Sequence, residues 1–353
     1  MAKGEDNLIA WLASRPTRTQ PGVEVGIGDD MAILRAGEDD PPSGPPILIT
    51  ADMLMDGVHF DTSAHTPEQI GRKALAASLS DCAAMAVRPR YAVVSIALPA
   101  GWSMTQAQAL YIGMEVLAET HDCAIVGGDT NSWPHPLVID ISIVAVPWPG
   151  IEPARRSGVQ VGDAVCVTGK LGGSLHPGPA DAAGGVPHHL CFEPRVAEAR
   201  WLAARLADRL HAMMDLSDGL STDATRMAAA SGCGIEFDAA ALENVVSDAA
   251  LAASQADGRT PLDHLLNDGE DFELLFAVAP TSLAALEKSA ATGTATGNAK
   301  PPALLTRVGT AIEGAGVWLK RGDAPREAIK PGGWQHFTNG GCGKEDEAPP
   351  SPV

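Results

Sequence analysis

The chain has 353 residues, 45% hydrophobic and 20% charged, the balance of a folded globular protein with room for two ordinary domains. Its net charge of −19 opposes nucleic acid and anionic lipid, and leaves a phosphate ligand to be met through cations, although the same acids serve solubility equally well. No apolar run approaches the roughly 18 to 20 residues of a membrane span, MAKGEDNLIAWLASRP has no secretory core, and six scattered cysteines without a CxxC pair argue against a disulfide framework or a zinc site, so a cytoplasmic location is expected.

In chain order, residues 47–51 (ILITA) read as a strand and 68–86 as an Ala-rich helix. Residues 91–98 (YAVVSIAL) read as a strand, and 104–120 as a helix with Ala107, Leu110, Met114 and Leu117 on one face. Ile125 and Val126 open what reads as a short buried strand, and 137–146 (LVIDISIVAV) is a long β-branched one. The Pro-rich break at 147–153 suggests a boundary, giving domains 1–148 and 149–338. The second half predicts strands at 163–168, 234–238 and 272–278 and helices at 193–210, 219–231 and 247–256. Stretches 35–46, 172–189 and 289–302 read as loops, and 339–353 as a disordered tail. The fold class is α/β (α+β) with two domains and no internal repeat.

The chemistry lies in aspartates at the ends of these elements. Asp29 and Asp30 follow glycine in GIGDD, and Asp52 ends the strand ILITAD. Asp81 sits in a helix as LSD, and Asp129 follows two glycines in IVGGDT. Asp215 and Asp218 form DLSDG; Glu270 and Asp271 form DGED. Each has an ordinary explanation: a turn for GIGDD and GGDT, a solvated helix face for Asp81, a helix N-cap for Ser217 with Asp218 in the first turn. Convergence would change this, because two carboxylates ~4 Å apart repel by ~4 kcal/mol at an effective dielectric near 20. Such a cluster needs bound cations or raised pKa values, and magnesium suits oxygen ligands of this kind. There is no GxxxxGK[ST] loop, no HRD or DFG set, no GxSxG and no HExxH.

Taken as an ordered set, GEDNLIAWL, VGIGDDMAIL, ITADMLMDGVHF, RKALAASLSDCAAMAVRP, IVGGDT, RSGVQVGDAVCVTG, MDLSDGLSTD, DGEDFELLF and GGWQHF resemble the thiamine-monophosphate kinase family, of the superfamily that includes aminoimidazole ribonucleotide synthetase. The resemblance covers roughly residues 4–337. It implies an ATP-dependent phosphotransferase with several magnesium ions, acting on thiamine monophosphate, and a homodimer formed through the first domain's sheet. By the same resemblance Asp30, Asp52, Asp81, Asp129, Asp215 and Asp218, with Thr50 and the neighbouring Asp29, are the metal ligands. Tyr111, Gly128, Asp129, Arg156 and Ser217 are nucleotide contacts, and His59, Glu270, Asp271 and Trp334 form the thiamine-phosphate end. Ala51 departs from a common threonine, and Asn267-Asp268 from a usual Ser-Gly. Other ATP-dependent members of the superfamily and an inactive ATP-binding scaffold are the alternatives.

Overall fold

The structure, a computed structural model, describes residues 9, 11–12, 22–35, 37, 43–176, 185–292 and 299–334. The tail 339–353 and parts of the three expected loops lie outside these residues. Two mixed sheets carry the fold. The first has the order β1-β2-β3-β6-β4-β5, from Val23–Val25, Ala32–Arg35, Pro46–Met55, Val138–Pro147, Val87–Pro99 and Ala124–Trp133. Only β4 and β5 pair parallel in it; the other neighbours are antiparallel. The second has seven strands, β13-β12-β9-β11-β7-β10-β8. These are Glu327–Ile329, Gly316–Lys320, Gly234–Asp238, Leu305–Ile312, Ala164–Thr168, Leu274–Val278 and Leu210–Asp215.

Helix α1 (Pro67–Ala84) begins where the sequence dictates. Thr66 caps it reciprocally with Gln69, and Pro67 occupies the first turn, where its missing N–H is harmless. Its Ala-rich body lets it pack on β6, β3 and β4 of the first sheet while also touching α4 (Val196–Leu206) and β8 of the second half. Helix α1 is thus the seam between the two sheets. Against it lies α2 (Met104–Thr120), capped by Ser103 and Gln106 in the same reciprocal way. The two helices approach through glycines: a Cβ on Gly71 would lie 1.9 Å from the Leu110 carbonyl oxygen, and one on Gly113 would lie 2.0 Å from that of Glu68.

Three expectations need correction. Strand β5 is ten residues long and mostly exposed, since it forms the sheet edge and its inward positions include Gly128. The helix expected over 193–210 spans only Val196–Leu206; Ala207 takes a left-handed φ of 48° and the chain then enters β8. The predicted strand at 272–278 starts at Leu274, because Phe272 is also left-handed. Short helix α3 (His188–Cys191) and helices α5 (Leu220–Ser231), α6 (Ala239–Glu243), α7 (Asp248–Asp257), α8 (Pro261–Asn267) and α9 (Pro280–Thr292) complete the fold.

Alanine in place of a helical glycine normally adds about 1 kcal/mol of helix propensity. At Gly71 the clash is with backbone and cannot be relieved by a rotamer, so overpacking of roughly 1–3 kcal/mol wins. Gly71→Ala should therefore lower the urea midpoint, whereas Gly127→Ala, whose Cβ would meet open space, should leave it within error. Equal midpoints for the two would contradict this helix contact.

Candidate active site

Four carboxylates from four separate elements meet at the seam. Asp30 lies in the turn after β1, Asp52 on the inward side of β3, Asp81 in the last turn of α1 and Asp215 at the C-terminal end of β8. Ligand oxygens of Asp30, Asp81 and Asp215 all fall within 4.8 Å of one another. Asp52 stands beside them, close enough to raise the pKa of both Asp81 and Asp215. Hydroxyls hold the carboxylates in place. Thr50 donates to Asp81, and Ser80 donates to Asp215 Oδ2 at 2.6 Å. Arg156 donates from its guanidinium to Asp30 Oδ1, and from its backbone N–H to Asp29 Oδ1 at 3.2 Å.

One arginine does not balance this set. Withdrawal from water, followed by the charge of Asp30, pushes Asp29 up to about 6 and Asp215 up to about 7. Withdrawal from water is also the main cause at Asp52, raised to about 6. At Asp81 burial and then the charges of Asp52, Asp215 and Asp30 push the carboxyl well above the ordinary range. Asp30 Oδ2 and Asp52 Oδ2 are buried atoms with no hydrogen-bond partner among the described residues. An all-oxygen donor set with unpartnered oxygens and excess negative charge fits a hard divalent cation.

A cavity of about 490 Å³ runs from this cluster along α1. Lys73, Ala77 and Asp81 line it at i, i+4 and i+8, one helix face. At the end away from the aspartates, the fully buried Lys73 donates to the His59 carbonyl and to both carboxylate oxygens of Glu270 at 2.8 Å. It also touches His189 Nδ1 at 2.7 Å. Burial lowers the pKa of Lys73, opposed by Glu270. Burial likewise lowers the pKa of His189, whose Nδ1 lies against both the Lys73 ammonium and, at 3.2 Å, Glu270 Oε2. At Glu270 burial works upward, but the hydrogen bond from His189 and the Lys73 charge outweigh it and keep the carboxylate ionised. Glu270 and Phe272 have φ of 55° and 49°, and their N–H groups donate to Ser217 and Leu216 carbonyls at 2.7 and 2.8 Å. These two bonds dock DGED against DLSDG and hold a backbone shape that side chains ordinarily avoid.

His59 also lines the cavity, and its Nδ1 accepts the Met55 N–H at 3.0 Å. With Nδ1 accepting, Nε2–H is the donor that the ring offers. Trp334 lies on the same wall, half exposed, with its backbone N–H donating to the Asp218 carbonyl at 3.2 Å.

Other expected residues are placed differently. Asp218 and Ser217 line the cavity, but α5 starts at Leu220 with Gly219 as its N-cap, so Ser217 is not the cap. Asp218 instead receives the Arg226 guanidinium, which also holds Asp223 at 3.1 Å. Asp271 faces a second cavity and not this one. Asp129 is exposed on β5, accepting from the Asn131 amide at 2.8 Å, and neither it, Gly128 nor Tyr111 lines the cavity within one chain. Tyr111 packs half-buried on the first core. Sequence reasoning missed Lys73 and His189; only the helical spacing of Lys73 to Asp81 pointed to the former.

The description AIR synthase related protein fits both halves: its N-terminal domain matches residues 28–147 and its C-terminal domain residues 160–297. The fold is that of this class. Among curated proteins, the thiamine-monophosphate kinase of Rhodopirellula baltica is 39% identical over 337 residues, 94% of this chain and 97% of that one. That of Escherichia coli K12 is 32% identical, covering 81% and 86%. Among solved structures, AaThiL complexed with AMPPCP and TMP aligns over 96% of this chain and 99% of its own, at 26% identity and a TM-score of 0.73. The thiamine-monophosphate kinase from Stenotrophomonas maltophilia aligns over 89% and 95%, at 30% identity and 0.67. The chain belongs to the thiamine-monophosphate kinase family of AIR synthase related proteins.

Removing one member of a buried ion pair costs roughly 3–5 kcal/mol, because the partner charge is left without compensation. Lys73→Met should lower the unfolding free energy by an amount of that order in a urea titration. A loss below ~1 kcal/mol would show that Glu270 and His189 do not depend on the ammonium.

Proposed function

We propose that this protein transfers the γ-phosphoryl group of ATP directly to thiamine monophosphate, giving ADP and thiamine diphosphate, with several magnesium ions held by its aspartates. The observation that carries the reading is one cavity with a cation-fitting carboxylate cluster at one end and the His59–Lys73–Glu270 group with Trp334 at the other.

Asp30, Asp52, Asp81 and Asp215, with Asp29 and the Thr50 hydroxyl, would hold the ions. Asp218 would extend this set along the cavity, and Asp129 from β5. Bound magnesium would neutralise the phosphates of both substrates, which otherwise repel each other and the carboxylates. The attacking oxygen belongs to a phosphate and is already anionic, so the reaction needs no side-chain base. His59 agrees with that, since with Nδ1 engaged its Nε2–H can donate to a phosphate oxygen. Glu270, kept ionised by Lys73, suits the positively charged thiazolium, and Trp334 offers it an aromatic wall worth about 1–2 kcal/mol. Arg156, Tyr111, Gly128 and Ser217 are assigned to the nucleotide. Asp271 is assigned no direct contact with the substrate.

Residues 1–148 would form the ATP- and magnesium-binding and dimerising domain, and 149–338 the second α/β domain. Met53, Tyr91, Val93 and Val126 are exposed apolar residues on the first sheet, the surface a homodimer would cover. No helix among the described residues is long and apolar enough to cross a membrane; a cytoplasmic location is part of the proposal.

The test is an ADP-coupled assay with thiamine monophosphate or thiamine at equal concentration, with product masses determined. Thiamine diphosphate should form from the monophosphate and little product from thiamine, and Asp81→Asn should reduce turnover at least ~10²-fold. Comparable turnover of free thiamine would contradict the reading, as would an Asp81→Asn enzyme of near wild-type rate.

A further inference from the structure

The segment Glu270–Glu273 is a wall with two faces. Glu270 and Phe272 line the cavity described above, while Asp271 and Glu273 line another, of about 510 Å³, on the other side. This second cavity is bounded by the end of β7 at Thr168, by α3 at Cys191, by α4 at Glu198, by the start of α7, and by Ala303. It holds none of the residues assigned to ATP or metal, and its size is that of a small-molecule site.

Its hydrogen-bonding groups are unbalanced. Asp271 is 2% exposed; its Oδ1 accepts from the Ser174 hydroxyl at 2.5 Å and from the Gly172 N–H at 2.8 Å. Its Oδ2 has no partner among the described residues. Glu198 is 3% exposed, and its Oε1 faces Lys300 at 3.2 Å and Arg195 at 3.7 Å, while its Oε2 also has no partner. The basic groups on the wall are already engaged. Arg195 forks onto both oxygens of Glu273, and Lys170 donates to the Asn244 carbonyl. Two buried carboxyl oxygens therefore have no hydrogen-bond partner among the described residues, and an unmet buried polar atom is costly. Gly169, Gly172, Val186, Ala249, Pro302 and Leu304 give the wall a small and apolar part, and His188, also on it, is engaged by the Asp271 carbonyl at 3.0 Å.

We propose that this cavity is an accessory binding site for a small, flat, donor-rich heteroaromatic molecule of the amino-azole or aminopyrimidine kind, its ring between the apolar walls and its N–H groups on Asp271 and Glu198. A phosphorylated or carboxylated ligand is disfavoured, because Asp248, Glu198, Asp271 and Glu273 all surround the space. The site is separate from the catalytic cavity and shares with it only the segment Glu270–Glu273.

Cys191 supplies a reporter, since it lines the cavity and is half-buried while Cys82, Cys123, Cys166 and Cys233 are buried. The probe is 2-aminobenzimidazole, titrated calorimetrically into the full chain saturated with thiamine monophosphate, magnesium and AMPPCP. It should bind once per chain with a Kd on the order of 0.1 mM, near the ligand efficiency of a small fragment. It should also slow iodoacetamide alkylation of Cys191, followed by peptide mass spectrometry. Ala303→Trp, at an exposed position on the cavity wall, should abolish binding and leave kcat unchanged. Glu198→Gln, which keeps the side-chain shape, should weaken binding at least fivefold. Absence of binding with the catalytic cavity filled would overturn the proposal. So would binding that neither protects Cys191 nor responds to Ala303→Trp.

Discussion

Four carboxylates converging on one half-buried place is the constraint on which the rest of this structure depends. Like charges at such spacing repel by several kcal/mol each, and one guanidinium, Arg156, cannot offset the set. The free protein answers with protons: Asp29, Asp52, Asp81 and Asp215 are all raised in pKa. For Asp29, Asp52 and Asp215 the window between unfolded and folded values runs from about pH 4 to about 7, and there the native state holds more protons than the unfolded one; Asp81 acts in the same direction. Stability from this source is complete below that window and is lost as pH rises through it. A bound cation would remove the conflict without a proton, which is the role proposed for magnesium at these carboxylates.

Helix α1 turns that local conflict into a cavity with direction. Its Ala-rich faces allow close approach to the first sheet and to α2, through Gly71 and Gly113. Asp81 then stands at the carboxylate end and Lys73 two turns away at the other, so one rigid element sets their separation. Glu270 reaches Lys73 from the second half of the chain only because DGED is docked on DLSDG by two backbone bonds and two left-handed residues. The seam between the sheets and the site are the same feature, which ties packing at the seam to the position of the reacting groups.

Much of this was legible in the sequence, for identifiable reasons. The strands at 91–98 and 137–146 and the helices at 68–86 and 104–120 carry strong periodicity, and reciprocal caps mark both helix starts. The aspartates stood out because glycines adjoin several of them, although Asp52, expected at a strand end, lies inside β3, which runs on to Met55. What sequence could not show was convergence. Asp129 reads like Asp52, yet it lies exposed at a sheet edge in one chain. Asp271 adjoins Glu270, yet alternation sends it to a different cavity. Lys73 resembles any helix lysine until Glu270, 197 positions away in sequence, closes on it. Strand β8 was hidden because Leu206 to Leu210 continues an apolar pattern that only the left-handed Ala207 interrupts.

The central claim is that these carboxylates exchange protons for magnesium. Calorimetric titration of magnesium into the free protein, in two buffers of different ionisation enthalpy, measures that exchange directly. At pH 6.5, below the value of about 7 to which Asp215 is raised, binding should release protons, and the release should fall as pH rises through that value. Magnesium binding with no proton release at pH 6.5, or with release unchanged in Asp81→Asn, would contradict the account.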